Sequence, residues 1–270
     1  MRTRMLFLLP FLFSSCVSQK SPTVPPKVPM MGFVKSGTIH VDDHSLADWK
    51  QIDSVRSLTC VNQWQDLICE KAPDSCRSDQ VDLEASFYFA WDGANLFFAV
   101  NVVDDSIVSV PSTDEYLYRG DSAELFFVVE CESVSDYHDC VRNDKPVFQM
   151  LLCPNELENK KYHLAEYRTP ESIIQSALDN GFHASGWKTK SGWQAEAAFP
   201  LTALDKTKSN NWSGKRVKVS FDILDYDRHL AERKPPCWGF EPNHVISNVE
   251  KKEMATNPTQ MTEFMFEGSK

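Results

Sequence analysis

The stretch LEASFYFAWDGANLFFAVNVV, residues 83–103, decides the fold. Leu83, Ala85, Phe87, Phe89 and Trp91 alternate along its first part, and Leu96, Phe98, Val100 and Val102 along its second. A repeat of two places successive side chains on opposite faces, so each part reads as a strand with one buried face. Between them lies Asp-Gly-Ala-Asn at 92–95, a short turn. Two alternating runs joined by an Asp-Gly turn form an antiparallel hairpin.

The same period recurs outward from this hairpin. Ala123, Leu125, Phe127 and Val129 share a side in SAELFFVVE. Trp193, Ala195, Ala197 and Phe199 do so in WQAEAAF, and Val217, Val219, Phe221 and Ile223 in VKVSFDIL. Helical spacing is scarce. TPESIIQSALDN, 169–180, has Thr169 as a cap, then Pro170 and Glu171, then Ile173, Ile174 and Ala177 three to four apart. The expected fold is all-β: an antiparallel β-sandwich, jelly-roll or immunoglobulin-like, with one short surface helix. Residues 33–270 read as one domain, with the cysteine-bearing regions 56–80 and 131–145 as insertions in loops.

Composition narrows the function. The 270 residues are 42% hydrophobic and carry a formal net charge of −10. A chain this acidic repels phosphate backbones, so no nucleic-acid partner is expected. MRTR followed by the apolar MLFLLPFLF has the shape of an export signal, and that apolar run is too short to span a bilayer as a mature helix. FSSC ends in Cys16 and resembles a bacterial lipobox, with Phe13 where leucine is usual. The expected organisation is a signal peptide over 1–15, lipidated Cys16 with a Pro-rich tether over 16–32, and the domain over 33–270. That places the protein outside the cytoplasm, held by lipid at the outer membrane or cell surface.

Seven cysteines remain beyond Cys16: Cys60, Cys69, Cys76, Cys131, Cys140, Cys153 and Cys237. An odd number leaves at least one thiol unpaired if all bridges are internal. No Cys-x-x-Cys pair suggests zinc. Local disulfides are expected, Cys131–Cys140 and one among Cys60, Cys69 and Cys76, although spacing alone does not fix connectivity.

The order of motifs resembles the family 9 carbohydrate-binding modules, β-sandwich domains first described as appendages of xylanases. IHVDDHSLADWKQ (39–51) resembles that family's opening motif, and FYFAWDGANLFFAVNVVDDSI (87–107) its central hairpin. YRGDSAELFF (118–127) resembles its aromatic-x-x-Asp-Ser-x-Glu motif. GWQAEAAFPLTAL (192–204) and VKVSFDILDYD (217–227) resemble its later strands. The resemblance implies noncatalytic sugar binding, with glycan as ligand and a glycoside hydrolase as a possible partner. It implies that Tyr118 stacks on a terminal sugar and that Glu124 bonds sugar hydroxyls, with Arg119 alongside. The chemistry agrees: an aromatic face covers the C–H face of a sugar, and carboxylate or guanidinium suits its hydroxyls.

Two departures stand out. Gln149 occupies the place of a sugar-contacting arginine, and Ala255 that of a second aromatic, for which Trp238 is the available substitute. No cofactor is expected beyond structural calcium, for which Asp42, Asp43, Asp104 and Asp105 are the candidate ligands implied by the resemblance. Two other readings stay open: a structural surface lipoprotein without a working sugar site, and a haem-binding redox sandwich using Met150, His163 or His183. Catalysis finds little support, with Glu124 and Glu196 the conceivable carboxylate pair. Arg119-Gly120-Asp121 is read as a turn rather than an adhesion signal. Trp91, Trp193 and Phe127 belong to the core, and Trp49 plugs one end of the sandwich. Asn211-Trp212-Ser213 has the form of a glycosylation acceptor.

Overall fold

In the computed structural model, β3 (Leu83–Trp91) and β4 (Asn95–Asp104) pair antiparallel from Leu83 opposite Asp104 to Trp91 opposite Leu96. Asp92 builds the turn, its Oδ1 accepting the N–H groups of Ala94 (3.0 Å) and Asn95 (2.7 Å). Gly93 takes φ +94°, a conformation that favours glycine.

The structure describes residues 30–51, 56–61, 83–113, 116–129, 137–166, 168–204, 211–226, 244–247 and 261–268. The remaining strands are β1 (Met30–Phe33), β2 (Arg56–Val61), β5 (Ser122–Val128), β6 (Val147–Leu152), β7 (His183–Thr189), β8 (Gly192–Pro200), β9 (Arg216–Asp225), β10 (His244–Ser247) and β11 (Thr262–Phe266). The helices are α1 (Ala47–Gln51), α2 (Tyr137–Arg142) and α3 (Glu171–Asp179).

Two layers result. The first runs β1–β3–β4–β8–β7, with β2 also on β3; the second runs β6–β5–β9–β11–β1, with β10 also on β9. β1 joins them: Met30 and Met31 pair with β11, while Gly32 and Phe33 pair with β3. Both pairings are parallel, so the sheet is mixed rather than purely antiparallel. Long chain segments separate β1 from both partners, which is the condition for parallel neighbours.

Every face assigned from alternation packs between the layers. Phe87 meets Phe221 at 3.9 Å between centroids, Phe89 meets Phe264 at 5.5 Å, and Phe148 stacks on Phe199 at 4.1 Å. α3 buries Ile173, Ile174 and Ala177, as its spacing implies. Thr169 does not cap it. The N-cap is Pro170, and Thr169 is buried beside β6, where its hydroxyl accepts the Gln149 N–H at 3.0 Å.

Three expectations are revised. The 56–80 region opens with a strand, since β2 completes the free edge of β3. The 131–145 region contains α2, whose Tyr137 and Cys140 are buried. Trp49 covers the outer face of the first layer rather than an end, with Val34, Leu46, Ala90 and Phe97. Its Nε1 donates to Glu196 Oε2 at 3.0 Å. Cys153 is free and buried, and burial pushes its thiol up to about 12. Cys140 is disulfide-bonded. Cys131, Cys69, Cys76 and Cys237 lie outside the described residues, and so therefore do both expected pairings.

Candidate functional site

The outer face of the second layer is unusual for a sandwich, because all seven residues of β5 are buried. Its inner face holds Ala123, Leu125 and Phe127; its outer face holds Ser122, Glu124 and Phe126. The β5–β6 register sets Glu124 beside Leu151 and Phe126 beside Gln149. The β5–β9 register sets Ser122 beside Leu224, Glu124 beside Asp222, and Phe126 beside Ser220. Neighbouring strands lie about 4.8 Å apart and same-face neighbours on a strand about 7 Å apart. Glu124 therefore sits at the middle of a small grid of side chains.

A turn walls this grid. Tyr118 lies in the 3₁₀ turn Leu117–Arg119, half-buried. Its ring packs against the Leu224–Tyr226 pair and against the cluster that contains Leu151 and Ala165. The Tyr226 hydroxyl donates to its carbonyl at 2.7 Å. Asp121 ties the turn down: Oδ2 accepts the Val108 N–H at 2.6 Å and Oδ1 the Tyr226 N–H at 2.8 Å. Its own N–H donates to the Val108 carbonyl at 2.9 Å. Gly120 is required by close approach, since a Cβ there would lie 2.5 Å from that carbonyl oxygen. With Gly120 buried and Asp121 1% exposed, the Arg-Gly-Asp triplet is a structural turn and has no adhesive loop to offer.

Tyr118 and Glu124 thus border one surface. Glu124 is 8% exposed, and Asp222, a residue sequence reasoning passed over, faces it across the ladder and is buried. Gln149 is fully buried, and neither end of its amide has a hydrogen-bond partner. The hydroxyls of Ser122 and Ser220 are likewise buried and unpartnered. Arg119 is exposed, its guanidinium carbon 4.1 Å from the Tyr116 ring centroid. Arg168 was also missed: its guanidinium lies 5.3 Å from the Phe126 ring centroid. The segment carrying it runs beside β6, with the Ala165 N–H donating to the Gln149 carbonyl at 3.1 Å. A guanidinium thus reaches this face from outside the strand where Gln149 replaces one. No periodicity marks such a residue. Trp238 and Ala255 lie outside the described residues.

Beneath the turn, Asp104, Asp121 and Asp225 are all buried, and their ligand atoms lie within 4.8 Å of one another. Burial, then the neighbouring Asp225, pushes the Asp121 carboxyl up to about 9, although two backbone N–H groups pull it down. Of the four aspartates considered for calcium, Asp104 alone belongs to this group. Asp105 is exposed, Asp42 pairs with His183 and Lys160, and Asp43 accepts the Ser45 N–H at 2.9 Å. Three convergent carboxylates form a donor set that fits a hard divalent cation.

Other candidates separate. Glu196 is on β8 in the first layer, where Trp49 and the Asp42 N–H hold it, so it forms no pair with Glu124. Burial pushes its carboxyl up to about 8. Met150 points into the inter-layer core. His163 is buried and donates from Nδ1 to the Leu151 carbonyl at 2.6 Å, and burial pushes it down to about 4. His183 is committed to Asp42.

Against known proteins, residues 52–236 match the family model described as carbohydrate family 9 binding domain-like. The chain belongs to that family. A family 9 carbohydrate-binding module from Caldicellulosiruptor kristjanssonii, solved with cellotriose, shares the fold at TM-score 0.57 and 16% identity, covering 88% of this chain and 94% of that one. Its glucose complex gives TM-score 0.55 at 16% identity, covering 88% and 96%. A Bacteroides uniformis protein gives TM-score 0.52 at 17% identity, covering 89% and 99%. No curated protein matches the chain.

Proposed function

We propose that the chain binds carbohydrate noncatalytically on the outer face of the second layer. One observation carries the reading: a half-buried tyrosine in the turn Leu117–Arg119 packs against the outer-face residues that flank a nearly buried carboxylate, Glu124. Tyr118 covers the C–H face of a sugar, while Glu124 and Asp222 accept from its hydroxyls. Arg119 and Arg168 add charged donors at the border of the face, while Gln149 lies beneath it, fully buried. The related module's complexes with cellotriose and glucose support a glucose-based oligosaccharide as ligand.

A glycan array of gluco-, xylo- and manno-oligosaccharides, probed with the full chain and with Tyr118→Ala, tests this. Binding by the parent and its loss in the variant are expected. Equal signals from both remove Tyr118 from the site. Silence from both favours a structural protein, the reading to which the missing aromatic at Ala255 points.

The Asp104–Asp121–Asp225 group is the proposed calcium site, and the ion would fix the turn beneath Tyr118. The N-terminal sequence supports export and anchoring through Cys16, which would hold glycan at the cell surface, within reach of a glycoside hydrolase. Incorporation of labelled palmitate that disappears in Cys16→Ala checks the anchor.

A further inference from the structure

The segment 34–49 lies across the outer face of the first layer as a strap. Apolar residues hold its two ends: Val34 and Ile39 on one side, Leu46 and Trp49 on the other, all packed with Ala90, Phe97 and Ala99 of β3 and β4. Polar groups hold its middle. Glu196 of β8, fully buried, accepts at both carboxyl oxygens, Oε2 from the Trp49 Nε1–H at 3.0 Å and Oε1 from the Asp42 N–H at 3.2 Å. The Asp42 carboxylate meets His183 of β7 and lies 4.0 Å from the Lys160 ammonium. His44 stacks on Trp187 with centroids 5.4 Å apart, and its Nε2 lies 3.1 Å from Glu156 Oε1. Asp42 takes φ +83° and His44 φ +56°. Left-handed backbone costs energy at residues other than glycine, so these contacts hold the strap in a shape it would not keep alone.

The strap is acidic where it covers Glu196. It carries Asp42, Asp43 and Asp48, and the charges of Asp43 and Asp48 both disfavour an ionised Glu196. Little positive charge offsets them. Lys160 is shared with Glu156 at 3.0 Å, and His40 sits 3.7 Å from Asp48 at the exposed edge. We propose that the strap is a pH-sensitive latch whose closing proton sits on Glu196: the neutral carboxyl lets the acidic strap lie on the sheet, and its ionisation drives the strap off. Burial, with Asp43 and Asp48 adding to it, pushes this carboxyl up to about 8 against the two hydrogen bonds it accepts. The neighbouring histidines act in the same direction, since His44 and His183 face Glu156 and Asp42, and a proton on either favours the closed strap. His163, which interacts with His183, is pushed down to about 4 by burial and stays neutral above that pH.

Hydrogen exchange followed by NMR tests the latch, read at the Trp49 indole N–H and the Asp42 amide and corrected for intrinsic rates. Both should be less protected than the Val100 and Ala195 amides of the sheet, because the strap opens without the sandwich unfolding. The proton favours the closed strap, so protection should fall about tenfold per pH unit between pH 5 and 8. In Glu196→Gln the strap's protection should be nearly independent of pH. Asp43→Asn, at an exposed position whose side chain can still accept the Ser45 N–H, should raise strap protection several-fold at pH 8, and it keeps the test open if Glu196→Gln fails to fold. Equal protection of strap and sheet at every pH would overturn the separate opening. A Glu196→Gln slope equal to the parent's, or an Asp43→Asn protection at pH 8 equal to the parent's, would overturn the role of Glu196.

Discussion

Replacing Gly120 with alanine probes the link between the turn and the site. The added Cβ would sit 2.5 Å from the Val108 carbonyl oxygen and 3.3 Å from the Val110 nitrogen. Both are backbone atoms, so the turn must move away from the 108–110 segment. That displaces two hydrogen bonds: Asp121 N–H to the Val108 carbonyl at 2.9 Å, and Val108 N–H to Asp121 Oδ2 at 2.6 Å. With Asp121 pushed up to about 9 and so protonated at neutral pH, both bonds are neutral and together contribute about 1–3 kcal/mol. With a urea slope of about 2 kcal/mol per molar, the midpoint should fall by about 0.5–1.5 M. Because Asp121 also holds the Tyr226 N–H, and Tyr226 holds the Tyr118 carbonyl, sugar affinity should fall as well. Gly93→Ala is the control. It is strained by its φ of +94° but meets nothing within 4 Å, so it should cost only about 1 kcal/mol and leave sugar binding intact. A Gly120→Ala midpoint within about 0.2 M of the parent would refute the close-approach argument. A lowered midpoint with unaltered sugar affinity would refute the coupling to Tyr118.

Other outcomes follow from the same geometry. Glu124→Gln keeps the shape but removes the charged acceptor, so cellotriose affinity measured calorimetrically should drop about tenfold. Stability should respond to pH through Glu196, His163 and Asp121. Glu196, raised from 4.5 to about 8, and Asp121, raised from 3.8 to about 9, hold protons in the fold that they lose on unfolding, so their contributions are lost as pH rises. His163, lowered from 6.5 to about 4, loses its contribution as pH falls below 6.5 and offsets one of the two below that pH. In calcium-free protein stability should fall by about 1.4 kcal/mol per pH unit up to pH 6.5 and about twice as steeply from there to pH 8. Melting curves on the parent and Glu196→Gln check this, since the variant should decline about half as steeply between pH 6.5 and 8. Calcium added to chelator-treated protein should raise the melting temperature, and Asp225→Asn should abolish the rise.

The inner faces of five strands were legible because period-two alternation reports burial directly, from Leu83–Trp91 through the run ending at Ile223. The outer faces were not. In VKVSFDIL, Ser220 and Asp222 read as solvent-facing residues, yet both are buried beside Phe126 and Glu124 of β5. β1 was hidden for a different reason: its four residues, MMGF, are too few to show a period, and its partners are remote. Tyr118 and Glu124 emerged from the family motif, whose spacing is local. Arg168 did not, because it reaches the site across a strand edge. Trp49 was placed at an end of the sandwich because sequence does not reveal that Glu196 waits beneath it to accept its N–H.

The central claim is that sugar sits on the outer face of the second layer, between Tyr118 and Glu124. Mapping backbone amide NMR shifts during titration with cellotriose tests it most directly. The account expects the changes to concentrate at Tyr118, Arg119, Glu124, Gln149 and Asp222. Changes centred instead on Trp49 and Glu196, on the outer face of the first layer, would contradict it.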